Sequence, residues 1–202
     1  MASDLDLFER WQGGDRSAGE TLFERHFDAV YRMFRHKVAD TDDLVQRTFL
    51  ACIEYAPRLR DASSFRTYLL TIARNELYMY LRRKGRIGDR MDPGVTCLED
   101  VGPSPSQVLH RNREQNLLLK ALRRIPLESQ VLLELKYWER MTGPELAEVL
   151  GLPEGTVRSR LRKAKATVEE VMAELAGSPE LLQSTLTSFD SWAESLRDDE
   201  GS

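Results

Sequence analysis

The chain has 202 residues, 41% of them hydrophobic and 31% charged, with a formal net charge of −4. That is enough apolar material for one ordinary domain or two small ones, and no apolar run approaches the roughly 18 residues of a membrane span. The opening MASDLDLFERWQ has neither the basic lead nor the apolar stretch of a secretory signal, so a cytoplasmic protein is expected.

Residues 17–39 set Leu22, Phe23, Phe27, Val30, Tyr31, Phe34 and Val38 at steps of three and four, which predicts an amphipathic helix. A second helix is predicted in TDDLVQRTFLACIEYA. There Leu44, Val45, Thr48, Phe49, Cys52 and Ile53 share a face, Thr41, Asp42 and Asp43 suit the positive N-terminal end, and Pro57 stops the run. A third covers about 63–84, from a serine start to a basic finish that complements the helix dipole.

The pattern breaks at 85–107, where four glycines and three prolines interrupt any apolar period and read as a linker between two domains. Helical periodicity resumes in NLLLKALRRI, stops at Pro126 and returns in LESQVLLELKYWER. Strand alternation and hairpin signals are missing, so the chain reads as all-α, two small helical domains joined by a flexible linker. Thr142 and Glu145 form a capping box ahead of TGPELAEVL, and Gly151 stands where a left-handed C-terminal residue is wanted. After the LPEG turn a further helix is predicted from Thr156, with Val157, Leu161, Ala164 and Val168 on one stripe. Two short helices joined by such a turn are a helix-turn-helix, whose second helix enters the major groove of DNA.

Charge supports that reading. From Gly177 onward six acids stand against Arg197, a local net of −5, which leaves +1 for residues 1–176. Within that near-neutral body, bases gather at 82–90 and at 152–166, five against one acid in each, as a partner with an extended polyanionic backbone requires. With the Val157 stripe inward, the opposite face presents Arg158, Ser159, Arg162, Lys163 and Lys165, with no acid at i+4 from Arg158, Arg162 or Lys163 to neutralise them. Arginine pairs bidentately with guanine, serine donates or accepts, and lysine holds phosphate. Cys52 and Cys97 stand apart without metal-ligand spacing, and His26, His36 and His110 are scattered on polar helix faces or near the linker. Neither a metal, a cofactor nor a catalytic constellation is expected.

A helix-turn-helix alone also suits a ligand-sensing repressor or activator, so the first domain decides the class. DLVQRTFLACIEY followed by FRTYLLTIARNELYMYLRR resembles domain 2 of bacterial extracytoplasmic-function sigma factors. LLKALRRIPLESQVLLELKYWERMTGPELAEVLGLPEGTVRSRLRKAKA resembles their domain 4. The resemblance covers roughly 17–170 in the right order. It implies a specificity subunit of RNA polymerase without an active site of its own, with sigma domain 2 over 1–84, the linker over 85–107 and sigma domain 4 over 108–176.

By the same resemblance Asp43, Leu44, Gln46, Thr48 and Phe49 dock on the clamp helices of the polymerase largest subunit, and domain 4 meets the flap. Ser63, Ser64 and Phe65, with Asn75, Tyr78, Arg82 and Arg83 on the helix that follows, correspond to the part that opens DNA and captures a minus-ten base. Thr156, Arg158, Ser159, Arg162 and Lys163 correspond to the reader of the minus-thirty-five element. The family usually has an acid where this chain has Arg47, Asp where it has Met79, and Trp at Ile53 and Tyr68; Tyr68 is expected in the core. Residues 177–202 form an acidic extension, with Leu182, Leu186, Phe189, Ala193 and Leu196 on one helical stripe. Control is expected from an anti-sigma factor or from this extension, which either masks the basic surface or packs as an extra helix on domain 4.

Overall fold

In the computed structural model, the structure describes residues 2–55, 65–83, 97–98 and 113–187. Nine helices are seen among them: α1 (Asp4–Gln12), α2 (Arg16–Phe34), α3 (Thr41–Tyr55), α4 (Phe65–Arg83), α5 (Arg113–Arg124), α6 (Leu127–Tyr137), α7 (Gly143–Leu150), α8 (Glu154–Leu175) and α9 (Pro179–Thr187). No strand occurs among the described residues, and one isolated bridge joins Cys97 to Pro126.

The first helix was not foreseen. Ser3 caps it, accepting from the Asp6 amide while the Asp6 carboxylate accepts from the Ser3 amide, so two otherwise unpaired donors are satisfied. Leu7 and Phe8 are then buried against α2 and α4. Gly19 makes this close approach possible, because a Cβ there would lie 2.6 Å from the Trp11 ring.

Helices α2, α3 and α4 enclose Leu22, Val30, Phe34, Leu44, Cys52, Leu69, Leu70 and Leu77. Ile53, expected on the buried face of α3, is 46% exposed instead. His26, expected on a polar face, is buried, its Nε2 sitting 2.6 Å from Asp4 Oδ2. Burial lowers the affinity of its imidazole for a proton, and neighbouring Asp4 does not reverse that.

The two halves pack on each other. Leu127, Val131, Leu132, Leu135, Met141, Leu146 and Val149 of the second half join the same core as α2–α4. A second core holds Leu117, Leu118, Ile125, Leu133, Val168 and Met172, with Leu181, Leu182 and Leu186 of α9 laid against it. Helix α6 therefore serves both cores, and even its polar Gln130 and Glu134 are buried, as befits a central helix. The expected linker spans mostly residues outside those described; Cys97 within it donates to the Arg124 carbonyl at 3.0 Å.

Of the two expectations for the extension, extra packing holds over Pro179–Thr187. Ser178 caps the Leu181 amide and Ser184 donates to Glu114 of α5 at 3.3 Å. The rest of the predicted stripe, including Phe189, Ala193 and Leu196, lies outside the described residues.

Candidate nucleic-acid interface

Helix α7 opens with the foreseen capping box, Thr142 and Glu145 exchanging bonds, and closes on Gly151 at φ 65°. That left-handed residue turns the chain sharply so that α8 crosses α7, starting two residues earlier than predicted, at Glu154. Val157, Ala164, Val168 and Met172 face inward and anchor α8, leaving Arg158, Ser159, Arg162 and Lys163 exposed along its outer side, with Thr156 half-buried at the first turn.

The outer face is less purely basic than spacing implied. Glu154 lies four residues before Arg158 and approaches its guanidinium to 3.4 Å, and Arg160 pairs with Glu128 of α6. Exposed pairs of this kind contribute only about 0–1 kcal/mol, so Arg158 is readily redirected to DNA. Ser159 Oγ donates to the Thr156 carbonyl at 2.9 Å, and Lys165 is half-buried.

On α4, Asn75, Arg82 and Arg83 are exposed. Two other expected contacts differ. Phe65 is buried in an aromatic cluster, 5.6 Å from the rings of both Phe8 and His26, and so closes the core instead of meeting a base. Tyr78 is buried too, with Arg74 5.1 Å from its ring centroid, and burial pushes its phenol up in pKa. Neither ring is offered to solvent in this arrangement. Ser63 and Ser64 lie outside the described residues.

On α3, Asp43 and Gln46 are exposed and Phe49 is half-buried, whereas Leu44 and Thr48 are fully buried. Thr48 Oγ1 donates to the Leu44 carbonyl at 2.8 Å, so these two hold the helix and are corrected from contact residues to supports. Arg47 pairs with Asp43 at 2.9 Å. Beside them runs an open groove of about 710 Å³ between α2 and α3, floored by Phe23, Phe27, Val45, Phe49, Leu50 and Ile53 and edged by acids and Gln46. Phe27, Leu50 and Ile53 are 45%, 57% and 46% exposed. Sequence reasoning missed this floor because Phe27 and Ile53 were counted into buried stripes; Leu50, apolar and off the stripe, was the available signal. An apolar floor with a polar rim suits a protein partner.

The family model for Sigma-70 region 2 matches residues 22–87 and that for Sigma-70 region 4 matches 115–168. The chain is 28% identical over 179 residues to the ECF RNA polymerase sigma-E factor of Haemophilus influenzae, covering 83% of this chain and 94% of the relative. It is 26% identical to the RNA polymerase sigma-H factor of Pseudomonas aeruginosa, over 85% of this chain and 95% of the relative.

In fold it is similar to CnrH, solved in complex with the cytosolic domain of CnrY, with a TM-score of 0.61 at 24% identity over 86% of this chain and 99% of that one. It is also similar to the sigma factor RpoE, solved with the anti-sigma factor NepR from Bartonella quintana, with a TM-score of 0.57 at 21% identity over 79% of this chain and 97% of that one. With regions 2 and 4 present in order and together spanning more than half of its length, the chain belongs to the extracytoplasmic-function sigma factors, which direct RNA polymerase to initiate transcription.

Proposed function

We propose that residues 1–84 act as sigma domain 2 and 108–176 as sigma domain 4, the first binding core polymerase and opening the minus-ten element, the second reading the minus-thirty-five element. The protein contributes specificity and has no active site of its own. It works in the cytoplasm; among the described residues no helix is long and apolar enough to cross a membrane.

The observation that carries this reading is the outer face of α8, where Arg158, Ser159, Arg162 and Lys163 stand exposed on a helix whose other side is anchored in a core. An isolated basic helix would be oriented by nothing; here the Gly151 turn and the buried stripe set which side chains reach base edges. At the other end, Gln46 edges and Phe49 floors the α2–α3 groove, with Asp43 exposed on the same helix, and the groove fits an amphipathic helical hairpin such as the clamp helices of the largest polymerase subunit. Domain 4 meets the flap. Asn75, Arg82 and Arg83 hold the opened minus-ten strand, a role the resemblance extends to Ser63 and Ser64. An anti-sigma factor, the kind of partner named for RpoE, controls the protein.

Run-off transcription with purified core polymerase tests the reading. Promoter-specific transcript that requires this chain, and is lost with Arg158→Ala/Arg162→Ala, is the expected result; DNA binding without any transcript would return the protein to the stand-alone regulators.

A further inference from the structure

Charge divides α8 in two. Residues 154–166 carry five bases against Glu154 alone, while 167–175 carry Glu169, Glu170 and Glu174 and no base. Two of the five bases are engaged, Arg158 loosely with Glu154 at 3.4 Å and Arg160 with Glu128. Arg162 and Lys163 stand exposed and meet no acid among the described residues. The basic half is thus an open anionic seat, and the acidic half separates it from the start of α9.

Helix α9 fixes where the rest of the chain sets out. Ser178 caps it, Thr185 is fully buried, and Leu181, Leu182 and Leu186 hold it on the second core. Beyond it, residues 188–202 carry Asp190, Glu194, Asp198, Asp199 and Glu200 against Arg197. Asp190, Glu194 and Asp198 recur at every fourth position, the interval that separates Arg158 from Arg162, and residues four apart share one helix face. Arg162 lies 13 residues before the end of α8 at Leu175, about 20 Å at the helical rise. A flexible chain of 15 residues has an r.m.s. span of about 20 Å. The acidic end therefore reaches the basic half of α8 while α9 keeps its place, and the glutamates of the nearer half repel it onward.

We propose that residues 188–202 fold back onto the basic half of α8 and stand in for DNA there, with α9 as their fixed anchor. Carboxylates facing Arg158, Arg162 and Lys163 take the places of phosphate oxygens, the anions these side chains otherwise hold. A tether matched to its span keeps the tail at a local concentration of about 1 mM, so a contact with a dissociation constant of about 0.1 mM lowers DNA affinity about tenfold. The loss is the same for every sequence. It takes weak, non-specific binding out of its working range and leaves promoter binding, which adds base contacts, within it. The inference rests on the reading of α8 as the DNA-reading helix.

The test uses the full chain with spin labels at Ala166→Cys, exposed one turn beyond Arg162, and at Ser195→Cys in the tail, in a Cys97→Ser background. Cys52 stays silent, since burial pushes its thiol up to about 12. Electron–electron distance measurements at about 50 mM salt should show a short population that disappears when promoter duplex is added or salt is raised to about 0.5 M. Asp190→Asn/Glu194→Gln/Asp198→Asn should remove that population and raise affinity for promoter and random duplexes alike, about tenfold at low salt and less than about twofold at high salt. Glu9→Gln/Glu20→Gln/Glu54→Gln, which neutralises three exposed acids of the first half, should leave both affinities within about twofold of the parent. A parent without the short population at low salt overturns the proposal. So does an equal gain from the first-half variant, which would make net charge the cause, or a gain that high salt does not diminish. If the tail docks while neither parent nor variants hold duplex DNA, the contact stands and the reading of α8 is what fails.

Discussion

Lys37 Nζ lies 2.6 Å from Glu134 Oε2, and both side chains are almost wholly out of water, 1% and 6% exposed. Glu134 also accepts from Gln130 at 2.7 Å, and Trp138 sets its ring 6.0 Å from the ammonium. Burial pushes the Glu134 carboxyl up in pKa despite the lysine. Such a pair contributes little net stability against a good apolar replacement, but breaking it leaves a charge stranded.

Lys37→Met should therefore destabilise the protein by about 3–5 kcal/mol, read as a drop in the urea midpoint. The double variant Lys37→Met/Glu134→Leu should recover most of the loss. A single variant as stable as the parent would mean that the pair is solvated in solution.

Acid should weaken the fold in two stages. Burial holds His26 below its ordinary 6.5, against the pull of Asp4 and with the charges of Arg25 and Arg66 also opposing a proton. The unfolded chain then takes up the proton first, so stability is full above 6.5 and falls as pH drops through the lower folded value. Burial raises Glu139, but the hydrogen bonds and charge of Arg32 and Arg66 outweigh it and leave the carboxyl below its ordinary 4.5. Its contribution is present above 4.5 and lost below the folded value. Urea midpoints across this range should show both steps, and His26→Gln should flatten only the upper one.

Glycine matters at two places for different reasons. Gly151→Val, at φ 65°, should cost roughly 1–2 kcal/mol through backbone strain alone and tilt α8 away from its DNA. Gly19→Ala has no such strain but drives a Cβ into Trp11, so it should loosen α1 and shift the Trp11 fluorescence toward that of a wetter ring. An unchanged emission spectrum would show that α1 accommodates the methyl.

The two binding surfaces should separate by mutation. Leu50→Asp, at an exposed floor position, should abolish polymerase binding with little effect on thermal stability. Arg158→Ala should cost about 1–3 kcal/mol of promoter affinity and relax specificity, whereas Lys163→Ala should weaken all sequences alike and reduce the salt slope by about 1. Filter binding at several salt concentrations distinguishes these outcomes.

The helices with a one-sided apolar stripe and good ends were legible from the residues: α2, α3, α4 and the α7–α8 pair agree with expectation to within a few positions. Helix α1 escaped because its signal is only a capping box and two core residues, Leu7 and Phe8, too short to show a period. Of the surface residues, Asp43, Gln46, Arg158 and Lys163 were readable because polar side chains off an apolar stripe must face out. Phe65 and Tyr78 were not, since an aromatic near a predicted binding site suits either a base or the core. The packing of the halves was hidden because the residues that make it, Arg32, Arg66 and Glu139, each look like ordinary surface charges until the fold brings them within 3 Å.

Because α6 is shared between two cores, parting the halves uncovers Leu127, Val131, Leu132 and Leu135 together with the facing side of α4. Anything that parted the halves would have to supply a greasy surface of its own to those residues, or the open form would clump with its neighbours. Cutting the protein in the 85–107 segment should for the same reason yield two sticky fragments that re-associate in the tube, and a stable isolated promoter-reading piece will need surface redesign along α6.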